Sequence, residues 1–459
     1  MYRFKGRLWL ALVAVMVVAT MIASCAPSVA PTEASVAEPT EEPTQPTEKP
    51  AEPAEEPVTI SVWHWKFGQT AFKEWSDWVK ETFEADHPNV TLDYYQPADL
   101  GPEVQAAVAV KEGVPDVVGM GGNSWEAPAV EAGIFLDIGS AIDADPEWQE
   151  WTAGWSSVPE AQYIYNGMVF VVNLSNGPNF IYYRKDLFEE AGVEPPETIE
   201  DLLALPPAFE AIGVDTMVSG LDSTTLWQYV PWFYSIAGAI DYGWALDRQA
   251  DECQTWTGDS VAEEALLTFE RLYDEGVLRQ QTPQEKYDPD AKQAFIQGKV
   301  AMQYTAGVWL NGGLADNIDN IGALYFPALN AGDNRVLMGS NDVAVSILNV
   351  TDEQKDPAHQ DLVLEFAKFI SSPESQAMIW EVGLMPLMPE AITSEDTSAQ
   401  RLVADQVRMA AAPDVNVLYY APQIPEVGQV LGEGMLGMLI DVKTVDEVLA
   451  DIDAVCAAR

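Results

Sequence analysis

Positive charge is scarce in this chain, as are cysteine and histidine, and each shortage closes a class of function. Lys and Arg number 23 against 72 Asp and Glu, a formal net charge of −49. Nucleic acid or an anionic lipid surface is therefore a poor partner for the body of the protein. The three histidines, His64, His87 and His359, are scattered and show no zinc-ligand spacing. Of three cysteines, Cys25 stands near the start, which leaves Cys253 and Cys456 as an even pair. In an exported chain such a pair is either a disulfide or two free thiols, because sequence carries no geometry. There is no G-x-S-x-G elbow, no P-loop and no dinucleotide fingerprint, since "GMGGN" (119–123) falls short of G-x-G-x-x-G. Among 72 acidic residues some two carboxylates always resemble a glycosidase dyad, so such a pair identifies nothing.

What is present begins with an export signal. Arg3, Lys5 and Arg7 precede an uncharged apolar run from Leu8 to Ser24, closed by "IASC" (22–25). Basic residues, a short apolar stretch and small residues before the cysteine predict a signal peptide over 1–24 rather than a permanent membrane helix. "IASC" resembles the lipobox of bacterial lipoproteins, which implies lipidation at Cys25 and durable attachment through several acyl chains. From Ala26 to Pro57 there are eight Pro, eight Glu, one Lys and no aromatic residue. That composition cannot offset its ordering entropy, so 25–57 reads as a disordered tether. In extended form it reaches roughly 100 Å.

From Val58 onward roughly 400 residues remain to fold, enough for two or three domains. Short apolar strands alternate with amphipathic helices, an α/β rhythm. "VTISVW" (58–63), "NVTLDYY" (89–95) and "PDVVGM" (115–120) read as strands. Between them lie a helix with Ala71, Phe72, Trp75, Trp78, Val79, Thr82 and Phe83 on one face, and a second helix closed by Gly113. Such an opening packs as a mostly parallel sheet whose ligand loops lie at the carboxyl ends of the strands. Later helices are predicted from Thr198 as N-cap, from Ser260 to Gly276, and from Ser372 with Pro373 in the first turn; "KDLFEEAG" ends on Gly192.

Four segments carry a family resemblance. "IYYRKDLFEEAGVEPPETIEDLL" (181–203) resembles the Y-Y-x-K-D-L-F segment of the extracellular solute-binding proteins of ABC sugar importers, the family that includes maltose-binding protein. "PDVVGMGGNSWEAPAVEAGIFLDI" (115–138), "AFIQGKVAMQYTAGVWL" (294–310) and "EFAKFISSPESQAMIWEVGLMPLMPEA" (365–391) are similar to further segments of that family, in its order. Together they span most of the folding part. Ile199 stands where the family usually has Trp, and "GSNDVAVSI" (339–347) has Ser-Asn-Asp where many members have a Gly-rich run, so the ligand contact there is expected to differ.

The resemblance implies a two-lobe periplasmic-binding-protein-like α/β fold of type II, with a hinge and an interlobe ligand cleft. Lobe one would be 58–176 plus 340–389, and lobe two 177–339 plus 390–459. It implies capture of a carbohydrate, an oligosaccharide by preference, for ABC permease transmembrane subunits. The chain would have no catalytic residue, cofactor or metal, would touch the membrane only through its lipid, and would act as a monomer.

A sugar presents apolar C–H faces and a ring of hydroxyls, so its site needs aromatic platforms beside planar hydrogen-bonding groups. Expected contacts are Trp65 and Phe67, with His64, Lys66 and Gln69 nearby, then Asn123, Ser124 and Trp125. Asn176 and Asn179 lie at the crossing between lobes, Trp227, Gln228 and Tyr229 in lobe two, and Trp309, Ser340 and Asn341 follow. Trp63, Trp75, Trp78, Trp232 and Trp380 are assigned to the core. The adjacent Tyr419 and Tyr420 resemble iron-binding relatives but lack supporting His or carboxylate spacing; cleft lining is weighed for them and they are not counted among the expected contacts. The competing readings are a surface-anchored carbohydrate hydrolase, an adhesin or scaffold, and a binder of glycerol phosphate or polyamine. Lys66 is the one base in the loops named here, which favours a neutral ligand.

Overall fold

The computed structural model describes residues 56–120, 126–153, 164–165, 168–223, 225–306, 317–339, 341–419 and 424–459. In chain order the strands are β1 (Val58–Trp63), β2 (Val90–Tyr95), β3 (Val117–Met120), β4 (Ile164–Tyr165), β5 (Met168–Val169), β6 (Val172–Asn176) and β7 (Asn179–Arg184). There follow β8 (Asp215–Val218), β9 (Val300–Ala306), β10 (Ile321–Leu324), β11 (Arg335–Gly339), β12 (Asn341–Ile347), β13 (Met385–Pro386) and β14 (Val415–Tyr419).

They form two six-stranded sheets and one small hairpin, β4 with β5. The first sheet runs β13-β6-β12-β3-β1-β2; the second runs β14-β11-β7-β9-β8, with β10 also on β7. The expected opening is present: β1 pairs in parallel with both β2 and β3. β12 is antiparallel to β3 and to β6, and β13 to β6. In the second sheet β8 and β9 are parallel, as are β11 and β14, while β7 opposes β9 and β11.

Local chemistry accounts for the elements between. Helix Thr70–Asp86 buries Ala71, Phe72, Trp75, Val79 and Phe83 at helical spacing. Thr198 forms a capping box with Asp201, and Ser372 accepts from the backbone of Ser375 with Pro373 behind it. One expected boundary moves: helix Leu100–Val110 stops before Gly113, with Lys111 itself in the left-handed conformation.

A first hydrophobic core joins Ile60, Trp75, Phe83 and Val345 of the first sheet's layers to Phe180, Tyr182 and Phe295 of the second's. A second core gathers Trp232, Phe233, Trp256 and Phe269 beneath the second sheet. A smaller one lies under Val118, Val104 and Phe135. Trp75, Trp232 and Trp380 are core residues as expected. Trp63 and Trp78 are only half-buried, because each sits at the margin of its cluster, against Tyr95 and Phe369 respectively. Cys253 and Cys456 form a disulfide with a Cα–Cα separation of 5.3 Å. It ties the segment after helix Tyr242–Ala250 to helix Val445–Ala457. Among the described residues no helix is long and apolar enough to cross a membrane. Cys25 and nearly all of the expected tether lie outside the described residues.

Candidate functional site

The chain leaves the first sheet at Asn176, the end of β6, and enters the second at Asn179, the start of β7. It returns from Gly339, the end of β11, to Asn341, the start of β12. Because β7 opposes β9 and β11, its amino end lies at the edge where β8, β9, β11 and β14 finish. The carboxyl edges of the two sheets therefore meet at the crossings, and the loops beyond those edges line the space between the lobes. This is where open α/β sheets bind ligands.

The loop after β1 is the most completely defined part of that edge. His64 caps the turn Trp65–Gly68, its Nδ1 accepting from the Lys66 backbone N–H at 3.1 Å. The imidazole is buried, with ring centroids 4.4 Å from Trp65 and 4.4 Å from Phe72. A Cβ on Gly119 would meet His64 Cδ2 at 2.6 Å, so glycine there is what admits the ring. Burial first, then the nearby Lys66 charge, holds the His64 pKa well below the usual histidine value. Trp65 is half-buried, and Phe67 stacks on Tyr94 at 4.6 Å. Lys66 is buried and forms an ion pair with Asp342 on β12.

At the crossings, Asn176 is in register with Asn341 and with Met385, while Asn179 is in register with Ala306 and Met338. The amides of Asn179, Gln228 and Gln303 are fully or almost fully buried, and neither polar atom of any of the three has a hydrogen-bond partner among the described residues. Such groups are costly and call for an explanation. Trp227 lies in the short turn Leu226–Gln228. Tyr229 is wholly enclosed in the second core, with its hydroxyl donating to the Leu221 carbonyl, so its ring is packing rather than open face. Asn123, Ser124, Trp125, Trp309, Ser340 and Tyr420 lie outside the described residues, and Asn341 is placed by its backbone alone.

Several edge groups escaped sequence reasoning. Tyr182 accepts from Gln406 Nε2 at 3.0 Å, and its pKa is pushed up by burial and by the charge of Asp342. Thr305, next to the end of β9, donates to the Tyr287 hydroxyl at 2.9 Å. Gly220, with φ +34°, lies against the Tyr287 backbone, where a Cβ would come within 2.4 Å of its Cα. The alternation of "VAMQYTA" (300–306) carries a signal for Gln303 and Thr305, which face away from Met302 and Tyr304. Asp342 lies inside the stretch already marked as departing from the family. Nothing in the sequence points to Tyr287.

The arrangement offers rings and hydrogen-bonding groups to a polar ligand. No group of three His, Cys, Asp or Glu among the described residues could hold a metal ion. His87 and His359 lie at the opposite, amino edge, the latter bonded to Asp116 at 2.9 Å.

Residues 68–377 match the family model described as "Bacterial extracellular solute-binding protein". A binding protein of Brucella abortus is 24% identical over 232 residues, 50% of this chain and 53% of that one, so the chain spans about half its length. The Multiple sugar-binding protein of Streptococcus mutans is 23% identical over 329 residues, 70% of this chain and 73% of that one. In architecture the chain is similar to a chitin oligosaccharide binding protein, with a TM-score of 0.73 at 17% identity, over 88% of this chain and 98% of the other.

Proposed function

Since the chain belongs to the bacterial extracellular solute-binding proteins, we propose that it captures a carbohydrate, an oligosaccharide by preference, between its two lobes and delivers it to the transmembrane subunits of an ABC importer. The observation that carries this is the meeting of the two carboxyl edges at the β6–β7 and β11–β12 crossings. A ligand held there touches both lobes, and only such a ligand can drive closure. Similarity to the Multiple sugar-binding protein and to the chitin oligosaccharide binding protein favours a saccharide.

In this reading lobe one comprises 58–176 with 340–389, and lobe two 177–339 with 390–459. Trp65 and Phe67 supply apolar rings from lobe one, Trp227 and Trp309 from lobe two. Asn123, Ser124, Trp125, Asn176, Asn179, Gln228, Ser340 and Asn341 supply the remaining contacts. Unpartnered amides at Asn179 and Gln228 support this, since sugar hydroxyls would satisfy them. The chain carries out no reaction, and Cys25 with the acidic, proline-rich segment after it tethers the lobes to the membrane.

A thermal-shift screen across sugars, polyols, glycerol phosphates, amino acids and polyamines tests the reading. A ligand at 100 times its dissociation constant adds about 2.7 kcal/mol to stability. Stabilisation by saccharides, recovered intact after incubation, is the expected result. A response to amines or phosphates with none to sugars would remove the carbohydrate assignment, and shortened oligosaccharides would establish a hydrolase instead.

A further inference from the structure

Lys66 stands three residues beyond the end of β1, and Asp342 is the second residue of β12. β3 lies between those two strands, so their ion pair passes over the carboxyl end of β3. That is also where a parallel neighbour gives way to an antiparallel one, since β3 is parallel to β1 and antiparallel to β12. The two side chains are only 11% and 13% exposed. Asp342 is close enough to Tyr182 of the second sheet for its charge to act on that phenol. The pair thus lies on the floor of the space between the lobes, in the segment "SND" (340–342) that departs from the family's Gly-rich run.

We infer that Asp342 sets the charge class of the ligand: by cancelling Lys66 it makes this floor electrically neutral, so that the site takes uncharged sugars and rejects their acidic counterparts. The inference rests on the carbohydrate reading above. A lone ammonium held out of water is a strong anion subsite, because Coulomb attraction grows as the effective dielectric falls. With the carboxylate beside it, an incoming uronate or aldonate would lose its hydration and meet no net charge in return, while facing Asp342 at short range. A sugar hydroxyl pays no such penalty, since it can donate to a carboxylate oxygen and accept from an ammonium proton. Lys286, a base near an edge loop through the Gly220–Tyr287 contact, is exposed, so its charge is screened by solvent, and Arg279 is paired with Glu285.

The test uses the whole chain and matched probes: lactose against lactobionic acid, and xylotriose against its glucuronate-substituted form, by calorimetry at two salt concentrations. The native protein should bind at least one neutral member and bind its acidic partner at least about tenfold more weakly. Asp342→Asn should improve the acidic-to-neutral affinity ratio by at least about tenfold, and, the ammonium being buried, most of that gain should persist at the higher salt. Lys66→Met combined with Asp342→Asn leaves no buried charge behind and should show no gain toward the acid, which decides the matter should the single variant fail to fold. Equal binding of acid and neutral partners by the native chain, an unchanged ratio in Asp342→Asn, or a gain in the double variant would each overturn the inference while leaving the carbohydrate reading standing. Binding of no saccharide at all would overturn both.

Discussion

His64 and His359 pack against the same first sheet and respond to pH in opposite directions. His64 is held neutral by burial and by Lys66, so its folded pKa lies below the unfolded value of about 6.5. Acidification below that value favours the unfolded chain, which takes up the proton more readily. His359 is bonded to Asp116, which raises its pKa, so its contribution is present in full below about 6.5 and is lost as pH rises through the folded value. The melting temperature, followed by circular dichroism, should therefore peak near pH 6.5 and decline on both sides. His359→Gln should lower it most below about pH 6.5 and converge on the native value at alkaline pH, which flattens the alkaline decline and leaves the fall below about pH 6.5 in place; an unchanged alkaline limb would refute the assignment. Tryptophans divide in a similar way. Trp75 is 4% exposed and donates to Ser375 Oγ at 3.0 Å, so Trp75→Ala should cost about 3–5 kcal/mol in urea unfolding. Half-buried Trp65 lies at the carboxyl edge, and Trp65→Ala should weaken sugar binding with a smaller loss of stability.

At the level of elements, the disulfide is the longest-range covalent constraint. It joins residues 203 apart and closes a loop around most of the second sheet. Its reduction should lower stability by about 2–4 kcal/mol, read as a fall in unfolding midpoint with and without a phosphine reductant; equal midpoints would show that the pair does not constrain the unfolded chain. The elements themselves were largely legible because their causes are local. The parallel opening β1, β2, β3 followed from apolar runs and one helical stripe, and the starts at Thr198 and Ser372 from cap chemistry. Which strands lie side by side was not legible by local rules. β12 enters the sheet between β3 and β6, and that pairing depends on residues more than 150 positions away. The site inherits the same limit. The loop after β1 was found because it follows a recognisable strand, whereas the Lys66–Asp342 pair and the Thr305–Tyr287 bond unite distant segments. Tyr229 was misread for a related reason: an aromatic next to a loop looks the same in sequence whether it turns outward or into the core.

For the whole molecule, the excess of acid over base means that folding gathers like charge into a smaller volume. Raising the salt from about 0.01 to 0.15 M shortens the screening length from about 30 to 8 Å and should raise the melting temperature measurably; a salt-independent value would show that the carboxylates are already compensated pair by pair. The interleaving of the sheets has a consequence for biosynthesis. β12 occupies an inner position of the first sheet, so a nascent chain ending before Asn341 holds β6 and β3 with nothing to join them. The second sheet likewise lacks an inner strand until β11, which ends at Gly339; β14, which begins at Val415, then adds an edge. Neither sheet has all its inner strands until residues 335–347 have been made, so neither lobe can close its hydrogen-bonded framework early in synthesis, and the two fold late and nearly together.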